Sequence, residues 1–549
     1  MPTANAPTLT LSTAPAGAVL TGNSLTWTPT AAQSRVSNQF SVVAKNAAGS
    51  ATQTWIVTPA GTVNGTYILT YWTANGPVNV PIDWTKTLFA PIALVPRANG
   101  TFQTAPGTGN SDGTFSIPNI PGGYFWLRIG NSSYWTSSSF FDFGADTNTA
   151  APGGVTNATT TTTLQFNLSG LDPLQDGDEV EFLWDSSHPL PLPLSGGSPA
   201  GATTISAAAM VSSNIDFSQS APGYLLQYEP ESLGTVSALR LGAEATLPAL
   251  TFVNGASNTV TQALLHTPET SFDLNVKGSA WATLFSNAAP SPATVEETKW
   301  GVTAEAFMSA GKVYSTVGMD IPLLVELVPP PSGQLPVLNV SSVCPAPWIS
   351  TLPGFNSIPV TPPILTDQDF GIAHYGEPFP AEWPRVFTFC QTATVQILLP
   401  GFATPAICRL IDGQSNSLPT SPISPLINQV QNPTINGMSI FTAASVAPVG
   451  VTLQWAAPVG QLPTGYKITA SVPNTLPHNG GQEFLPAFTF YAAKTSASLP
   501  PLQAGQTYLF LITSILDGAA NFETRPNRAA LPSAAASVVS APITTSTGP

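Results

Sequence analysis

Apolar and polar residues alternate with a period of two in stretches that recur along this chain, and Gly, Pro, Asn and Ser bound these stretches. Clear cases are Phe40-Ser-Val-Val-Ala44, Thr452-Leu-Gln-Trp455 and Tyr508-Leu-Phe-Leu-Ile512. Successive side chains of a β-strand point to opposite faces, so this period predicts strands. No segment longer than about ten residues combines a period of 3.6 with residues that favour helices. We therefore predict an all-β fold with very little helix.

Length and composition predict several folded domains with nearly uncharged surfaces. At roughly 150 residues per domain, 549 residues correspond to about three to five units. Hydrophobic residues make up 43% of the chain, and 12 Trp, 11 Tyr and 27 Phe supply packed cores, which argues against disorder. Only 8% of residues are charged, against roughly 25% in average domains. Such a surface favours a protein outside the cell, where copies can pack without desolvating charge.

The charge balance excludes nucleic acid as a partner. The net charge is −14, and only 15 Lys and Arg residues are present to neutralise phosphates. No apolar run approaches the roughly 20 residues that cross a bilayer, so no membrane span is predicted. The opening MPTANAPTLTLS lacks the basic and apolar segments of a signal peptide. An extracellular or cell-surface location therefore implies a signal peptide that has been removed, or a truncated chain.

Residues 1–60 carry the run Leu25-Thr-Trp-Thr-Pro-Thr, followed by two strand-like stretches around a Gly-Ser hairpin that end near Trp55. This text resembles the later strands of the immunoglobulin-like repeats of bacterial surface proteins, which implies a partial sandwich. The strands that come first in such repeats have no counterpart here. An incomplete sandwich has an open edge, which favours strand addition by a partner. A trimmed or wrongly placed start explains the same gap.

Residues 61–150 carry the run Gly113-Thr-Phe-Ser-Ile-Pro-Asn-Ile-Pro-Gly-Gly-Tyr-Phe-Trp-Leu. It is similar to the transthyretin-like sandwiches of carboxypeptidase regulatory-like proteins, in which such a run forms a strand, a turn and the next strand. Gly and Pro suit the turn. Alternation predicts that four side chains face the core: Phe115, Ile117, Tyr124 and Trp126.

Residues 426–543 carry Thr452-Leu-Gln-Trp455 and Leu499-Pro-Pro-Leu-Gln-Ala-Gly-Gln-Thr-Tyr508. These runs resemble a fibronectin type III domain. The resemblance implies that Trp455 lies in the core and that Leu502 and Tyr508 form the corner in which the phenol bonds to nearby backbone. The long stretch between Tyr466 and Lys494 departs from the pattern and predicts an enlarged loop or an extra strand. Residues 544–549 are predicted to be a tail.

The middle of the chain is strand-like but resembles no family. After a Thr-rich linker, the Pro-rich run at 327–337 predicts a boundary between β-rich domains at 164–330 and 336–425. The second of these contains Cys344, Cys390 and Cys408. Their spacing is not that of a zinc site, which leaves one disulfide with a free thiol, or three buried thiols. We favour a bridge that involves Cys390 and leave its partner open.

An acidic run provides weak candidate ligands for calcium, which is bound by six to eight oxygens. The candidates are Asp176, Asp178, Glu179 and Glu181. The alternative is a solvated hairpin, with Glu179 and Glu181 on its wet face and Val180 turned inward. We favour the hairpin because the regular calcium-binding loop is absent. Calcium apart, no cofactor is predicted.

Two sugar-related functions remain as alternatives. Exposed aromatic residues stack on sugars, and the candidates for this role are Trp72, Trp126 and Trp135, although alternation places about half of such residues in the core. Paired carboxylates at 367–382 could serve a glycoside hydrolase. A Pro-rich interdomain loop explains that stretch better. The four histidines lie in no hydrolase motif, so no catalytic residue is predicted.

Together these features resemble a bacterial secreted or surface protein built from tandem immunoglobulin-like and fibronectin-like β-sandwiches. We predict an extracellular structural or adhesive protein that is not an enzyme. Assembly into a filament or layer would use strand addition at the incomplete N-terminal domain, with other copies, the extracellular matrix or a glycan as partner. The alternatives are a carbohydrate-binding accessory protein and, less favoured, a glycosidase.

Overall fold

The fold is known from a computed structural model, which describes residues 6–73, 76–146, 161–184, 190–192, 199–211, 221–233, 236–250, 252–253, 255–288, 294–308, 311–314, 318–319, 334–335, 366–376, 385–397, 406–416, 422–475, 482–528 and 532–547. Across these ranges the chain is all-β with several sheets, which confirms the predicted fold class. The helical segments described there are one α-helix, α1 (Gly278–Asn287), and two short 3-10 turns at Ala31–Gln33 and Trp84–Lys86.

Residues 6–60, which we call the N-terminal unit, form one small sheet and one hairpin. Strands β1, β4 and β5 pair in the antiparallel order β1-β4-β5, and β2 pairs with β3. The alternation around Phe40 therefore does correspond to a strand. The bounds are β1 (Thr8–Thr13), β2 (Val19–Thr21), β3 (Ser24–Thr26), β4 (Asn38–Asn46) and β5 (Gly49–Val57).

Residues 61–146, the second unit, form two sheets that enclose a core. One sheet has the order β11-β12-β6-β15, and the strands β10-β9-β13-β14 lie across from it. Phe115 and Ile117 are buried between them, as predicted. The bounds are β6 (Gly61–Thr66), β7 (Ile68–Thr73), β8 (Gly76–Pro81), β9 (Ile92–Pro96), β10 (Phe102–Pro106), β11 (Thr108–Gly109), β12 (Thr114–Ile120), β13 (Phe125–Ile129), β14 (Ser132–Thr136), β15 (Phe140–Asp142) and β16 (Ala145–Asp146).

Residues 162–266, the third unit, form a sandwich with its own core. The sheet β20-β17-β23 packs on the sheet β19-β18-β21-β22-β24 through Phe166, Phe182 and Leu225. Antiparallel pairing joins the two long strands of the second sheet. The bounds are β17 (Thr162–Ser169), β18 (Glu179–Trp184), β19 (Leu190–Leu192), β20 (Thr204–Val211), β21 (Ala221–Leu233), β22 (Val236–Leu250), β23 (Ser257–Ala263) and β24 (Leu265–His266).

Helix α1 lies in the next region, where its Trp281 packs on Phe389 with ring centroids 4.7 Å apart. Strand β26 pairs with β31 along most of its length, and this pairing crosses the boundary that the Pro-rich run predicts. Whether two separate domains exist here stays a prediction. The bounds are β25 (Glu269–Val276), β26 (Thr294–Met308), β27 (Gly311–Tyr314), β28 (Gly318–Met319), β29 (Gln334–Leu335), β30 (Gln368–Gly376), β31 (Arg385–Ile397) and β32 (Ala406–Asn416).

Residues 431–545, the last unit, form a sandwich with the predicted corner. The Tyr508 hydroxyl accepts a hydrogen bond from the backbone N–H of Gln503 at 3.0 Å, and Trp455 and Leu502 are buried. The bounds are β33 (Gln431–Ile435), β34 (Met438–Ser439), β35 (Ala444–Val446), β36 (Thr452–Ala456), β37 (Gly465–Thr475), β38 (Gln482–Ala492), β39 (Ser496–Ser498), β40 (Thr507–Asp517), β41 (Ser533–Val539) and β42 (Ile543–Thr545).

The predicted tail begins too early. Thr544 and Thr545 belong to β42, which pairs with β35 and β40. The Thr545 hydroxyl donates to the carbonyl oxygen of Gln503 at 2.6 Å, so this polar side chain is hydrogen-bonded although it is buried. A Thr-rich segment can end a strand when its hydroxyls find such partners.

The second and last units share a sheet and a core. The stretch between Tyr466 and Lys494, for which an enlarged loop or an extra strand was predicted, contains the hairpin of β37 and β38. Strand β38 pairs in parallel with β14 of the second unit, from Ser132↔Thr489 to Trp135↔Ala492. This pairing continues a sheet that has fourteen strands in the described residues and extends to β31, β26 and β27.

Candidate functional site

The candidate functional site is the sheet of the N-terminal unit, which has the least developed core in the described part of the chain. The Phe40 ring stacks on Trp55 at 5.5 Å and meets Trp27 edge-on at 5.2 Å between centroids. With 2% of its surface exposed, Phe40 is the only apolar side chain buried within residues 6–60. None of the core clusters found among the described residues includes this unit.

The apolar face of this sheet is only partly covered. Leu9 pairs with Ala44 and Leu11 with Val42, which places these side chains on the face that carries Phe40. All of them stay half-buried. A sandwich buries such a face against a second sheet, but none of the hydrophobic core clusters of the described residues contains a side chain from β1, β4 or β5. That residues 1–60 are a partial sandwich stays a prediction.

The two edges of the sheet differ in how they are protected. Edge strand β1 is short, has a register shift between Leu11 and Thr13, and lies between Pro7 and Pro15. Edge strand β5 has nine residues in a regular register and contains neither a proline nor a charged residue. Proteins block sheet edges with short strands, bulges, Pro and Lys. By these criteria β1 is protected and β5 is not.

The outward-facing backbone groups of β5 follow from its hairpin. Residues Asn46 and Gly49 pair on either side of a two-residue loop. The pair that closes such a loop is hydrogen-bonded, and hydrogen-bonded pairs alternate from there along the ladder. The odd-numbered residues of β5 therefore bind β4, and the others direct their N–H and C=O groups away from the sheet. These outward residues are Ser50, Thr52, Thr54 and Ile56, and all are exposed.

The side chains of edge strand β5 are a mixture of apolar and neutral polar groups, and none is charged. The first 60 residues contain no acid, and their only basic residues are Arg35 and Lys45. Within the described residues β5 pairs with β4 and with no other strand. Ile56, at its far end, leaves 64% of its surface exposed. The edge can therefore accept a strand without desolvating a charge.

Arg35 attaches the N-terminal unit to the second unit. Its guanidinium donates to the carbonyl oxygens of Ser138 at 2.5 Å and Gly123 at 3.2 Å, and it lies 4.7 Å from the centre of the Phe125 ring. Burial lowers the pKa of this guanidinium. Backbone carbonyls thus satisfy a buried cation, which orients the N-terminal sheet on its neighbour.

Two of the three tryptophans predicted to bind glycans, Trp126 and Trp135, are buried and are not surface platforms. Trp126 has no exposed surface, and Trp135 is buried next to it at 4.9 Å between ring centroids. The Trp126 indole donates to the carbonyl oxygen of Ser498 in the last unit at 2.6 Å. Both faces of β13 are covered, Phe125 by the second unit and Trp126 by the last unit. The Trp72 side chain lies outside the described residues.

Alternation predicted that Trp126 and Tyr124 lie in the core of the second unit, and this prediction is wrong. Trp126 instead belongs to the core of the last unit. Tyr124 is only half-buried and donates its phenol hydrogen to Glu523 at 2.6 Å. Lys494 lies over its ring, 4.4 Å from the centre. Both side chains thus serve the contact between the two units.

The calcium candidates do not converge. Asp178 accepts hydrogen bonds from the Gln175 N–H and the Gln227 amide, both at 3.1 Å, whereas Glu181 lies on the other side of β18 from Val180. In the described ranges, no group of three or more His, Cys, Asp or Glu could hold a metal ion. Asp176 is exposed and Glu179 is half-buried. Calcium binding itself stays a prediction.

Glu181 is not on a wet face, which corrects the hairpin prediction. It is 8% exposed, and no described residue forms a hydrogen bond with its Oε2 atom. Burial first, and Glu179 second, raise the pKa of Glu181 to about 8. The Tyr228 hydroxyl, also buried without a partner among the described residues, has its pKa raised by burial and by these carboxylates. The same face of the sheet is apolar at Leu226.

Cys408 is a free, buried thiol, which fits both predicted alternatives, one disulfide with a free thiol or three buried thiols. It is buried, and burial raises its pKa to about 12. Cys408 pairs with Val395, and Cys390 pairs with Gly413, so the two cysteines are well separated along neighbouring strands. The Cys390 side chain and all of Cys344 lie outside the described residues.

The acidic stretch at 367–382 is described only in part. Asp367 accepts hydrogen bonds from the Lys277 ammonium at 2.8 Å and the Ser279 hydroxyl at 2.6 Å, at the start of α1. These bonds lower its pKa to about 2. Asp369 accepts a bond from the Gly371 N–H at 2.9 Å within its own turn. Both acids have local structural roles, whereas Glu377 and Glu382 lie outside the described residues.

Comparison with known proteins assigns the chain to no family. No protein-family model and no curated protein matches it. Among solved structures it is similar to a putative cell adhesion protein from Bacteroides eggerthii, with 13% identity over 47% of this chain and 81% of that one, at a TM-score of 0.14. It is also similar to α2-macroglobulin from E. coli, with 7% identity over 92% of this chain and 30% of that one, at a TM-score of 0.10.

Likenesses this low carry no argument about the fold or the function of this chain. Over the described residues, no helix is both long and apolar enough to cross a membrane. The established identity of the chain is therefore that of an all-β protein with several sheets.

Proposed function

We propose that this chain is an extracellular structural or adhesive protein that assembles, or attaches to a partner, by strand addition at the N-terminal unit. The observation that carries the proposal is edge strand β5, which is exposed, regular and uncharged and belongs to a sheet whose apolar face is half-covered. A strand added there would bond to the outward backbone groups of β5 and place its own side chains beside Trp55 on the apolar face.

Two further features support the proposal. The low proportion of charged residues, 8%, reduces the cost of bringing surfaces together. The second and last units share a sheet and a core, and Arg35 holds the N-terminal unit against the second unit. A force applied at β5 would therefore be transmitted through the Arg35 contact to the sheet that the second and last units share.

The proposal is tested with the full chain by electron microscopy and by sedimentation over a range of concentrations. We expect ordered oligomers, filaments or layers that are lost when Lys replaces Thr52 and Thr54. The matched control places Lys at Thr8 and Thr10 on the protected edge β1, where we expect little effect. A chain that stays monomeric at all concentrations and captures no extended peptide would contradict the proposal.

A carbohydrate-binding accessory protein remains the alternative. Binding of the chain to immobilised glycans, unaffected by the β5 substitutions, would favour it. Hydrolysis of a polysaccharide would instead favour the glycosidase.

A further inference from the structure

We propose that strand β5 pairs with β5 of a second copy of the chain, antiparallel and centred on Gln53. This inference rests on the proposed function, because it names the partner and the register of the same edge. The result is a continuous sheet of two N-terminal units related by a twofold axis.

The register follows from the backbone groups that must be paired. Ser50, Thr52, Thr54 and Ile56 direct their N–H and C=O groups outward, as derived above from the hairpin pairing. In an antiparallel self-pairing centred on Gln53, Ser50 lies opposite Ile56 and Thr52 opposite Thr54. Every outward residue then lies in a hydrogen-bonded pair. A centre at Thr52 would leave Ile56 without a partner inside β5, and a centre at Thr54 would leave Ser50 without one, so the centre at Gln53 is the one that pairs all four outward residues.

The side chains suit this register. Ala51 of one copy lies opposite Trp55 of the other on the apolar face, so a small residue accommodates a large one. Thr52 lies opposite Thr54 on the other face, a pair that stabilises neighbouring strands. The two Gln53 side chains meet at the axis, where amide groups can donate to and accept from each other. Trp55 is half-buried and Ala51 exposed, so the pairing covers surface that a single copy leaves open.

The charge distribution also allows self-pairing at this edge. Strand β5 has no charged residue, so two copies bring no like charges into contact along the edge. The whole chain has a net charge of −14, which opposes association at long range. Salt screens exposed charges beyond about 10 Å at 0.1 M. Self-association should therefore strengthen as salt is raised, whereas a partner chosen by its charge would bind more weakly.

The experiment is cysteine crosslinking in the full chain. In the proposed register the two Gln53 residues form a non-hydrogen-bonded pair, with Cα atoms about 4.5 Å apart, within the range that a disulfide spans. We expect Gln53→Cys to give a covalent dimer with copper phenanthroline as oxidant. Thr52→Cys should not crosslink to itself, but should do so when mixed with Thr54→Cys. Thr10→Cys on β1 and the unmodified chain give the background from the native cysteines.

The outcomes separate this inference from the proposed function. Dimers of Gln53→Cys without dimers of Thr52→Cys support the register. Thr52→Pro, which removes an outward N–H from each copy, should weaken dimerisation at least about tenfold. If Thr52→Pro abolishes assembly but Gln53→Cys never crosslinks, strand addition stands and self-pairing is overturned. If neither variant differs from the unmodified chain, both fail. Efficient self-crosslinking of Thr52→Cys or Thr10→Cys would overturn the register.

Discussion

Replacing Trp126 with Ala tests whether the second and last units share one core. The indole is fully buried against Phe490, at 5.2 Å between ring centroids, and donates to the Ser498 carbonyl. Removing about 200 Å² of apolar surface at about 25 cal/mol per Å² costs about 5 kcal/mol. The lost hydrogen bond adds about 1 kcal/mol. Core substitutions of Trp by Ala cost about 3–5 kcal/mol, so we expect a loss near the upper end.

The assay is hydrogen exchange of the full chain, followed by mass spectrometry on peptides. Strand β36 (Thr452–Ala456) lies in the last unit and lines the core that contains Trp126. A loss of about 4 kcal/mol in the free energy of opening raises the exchange rate about a thousandfold. We therefore expect Trp126→Ala to accelerate exchange in β36 as well as in β13 (Phe125–Ile129), its own strand.

Phe115→Ala is the matched control. Phe115 is equally buried, but its ring neighbours, Trp84 at 5.8 Å and Phe143 at 6.1 Å, both belong to the second unit. It should accelerate exchange in the second unit and much less in β36. If Trp126→Ala accelerates exchange in β13 but leaves β36 as slow as in the unmodified chain, the two units do not share a core and the reasoning is refuted.

The remaining predictions concern buried groups and calcium. The pKa of Glu181 is raised from 4.5 to about 8 in the folded chain. The folded state therefore keeps a proton that the unfolded state loses, and its stability falls as pH rises from about 4.5 to 8. Glu181→Gln should make this loss of stability with pH smaller. The free energy of unfolding in urea, measured at pH 5 and pH 9 for both proteins, tests this. An identical loss in both proteins would contradict the burial of Glu181. Cys408 should resist iodoacetamide in the native chain at pH 8 and react after unfolding, because its pKa of about 12 and its burial leave little accessible thiolate; rapid native labelling at this residue would refute it. EDTA should leave the midpoint of thermal unfolding unchanged because the carboxylates around Asp178 do not converge in the described residues. A midpoint that falls with EDTA and recovers when calcium is added would contradict this and support calcium binding.

Several local features could be predicted from the sequence because they depend on neighbouring residues. Alternation predicted the strands around Phe40 and Tyr508, and the resemblance to fibronectin type III domains implied a bond between the Tyr508 hydroxyl and nearby backbone, which is the Gln503 N–H. The long stretch before Lys494 predicted an enlarged loop or an extra strand, and strand β38 lies there. Each of these depends on chain segments of about ten residues, within which the period of two and the turn residues specify the geometry.

The choice between the two edges of the N-terminal sheet needed both kinds of information. The sequence does hold a signal, since Pro7 and Pro15 flank β1 while 49–57 contain neither charge nor proline. The sequence does not show that both stretches are edge strands with β4 between them, because this depends on how the strands pair. Arg35 was missed because a basic residue in a polar loop has no pattern that distinguishes it.

By itself the sequence determined that the chain is all-β and which side chains share a face of each strand. Only the tertiary structure decided what covers each face. A period of two separates Phe125 from Trp126 but cannot say that the second unit covers one and the last unit the other. It likewise cannot show that Glu181 faces a buried surface. The physical reason is that burial depends on contacts between residues far apart in the chain, such as the pairing of Ser132 with Thr489.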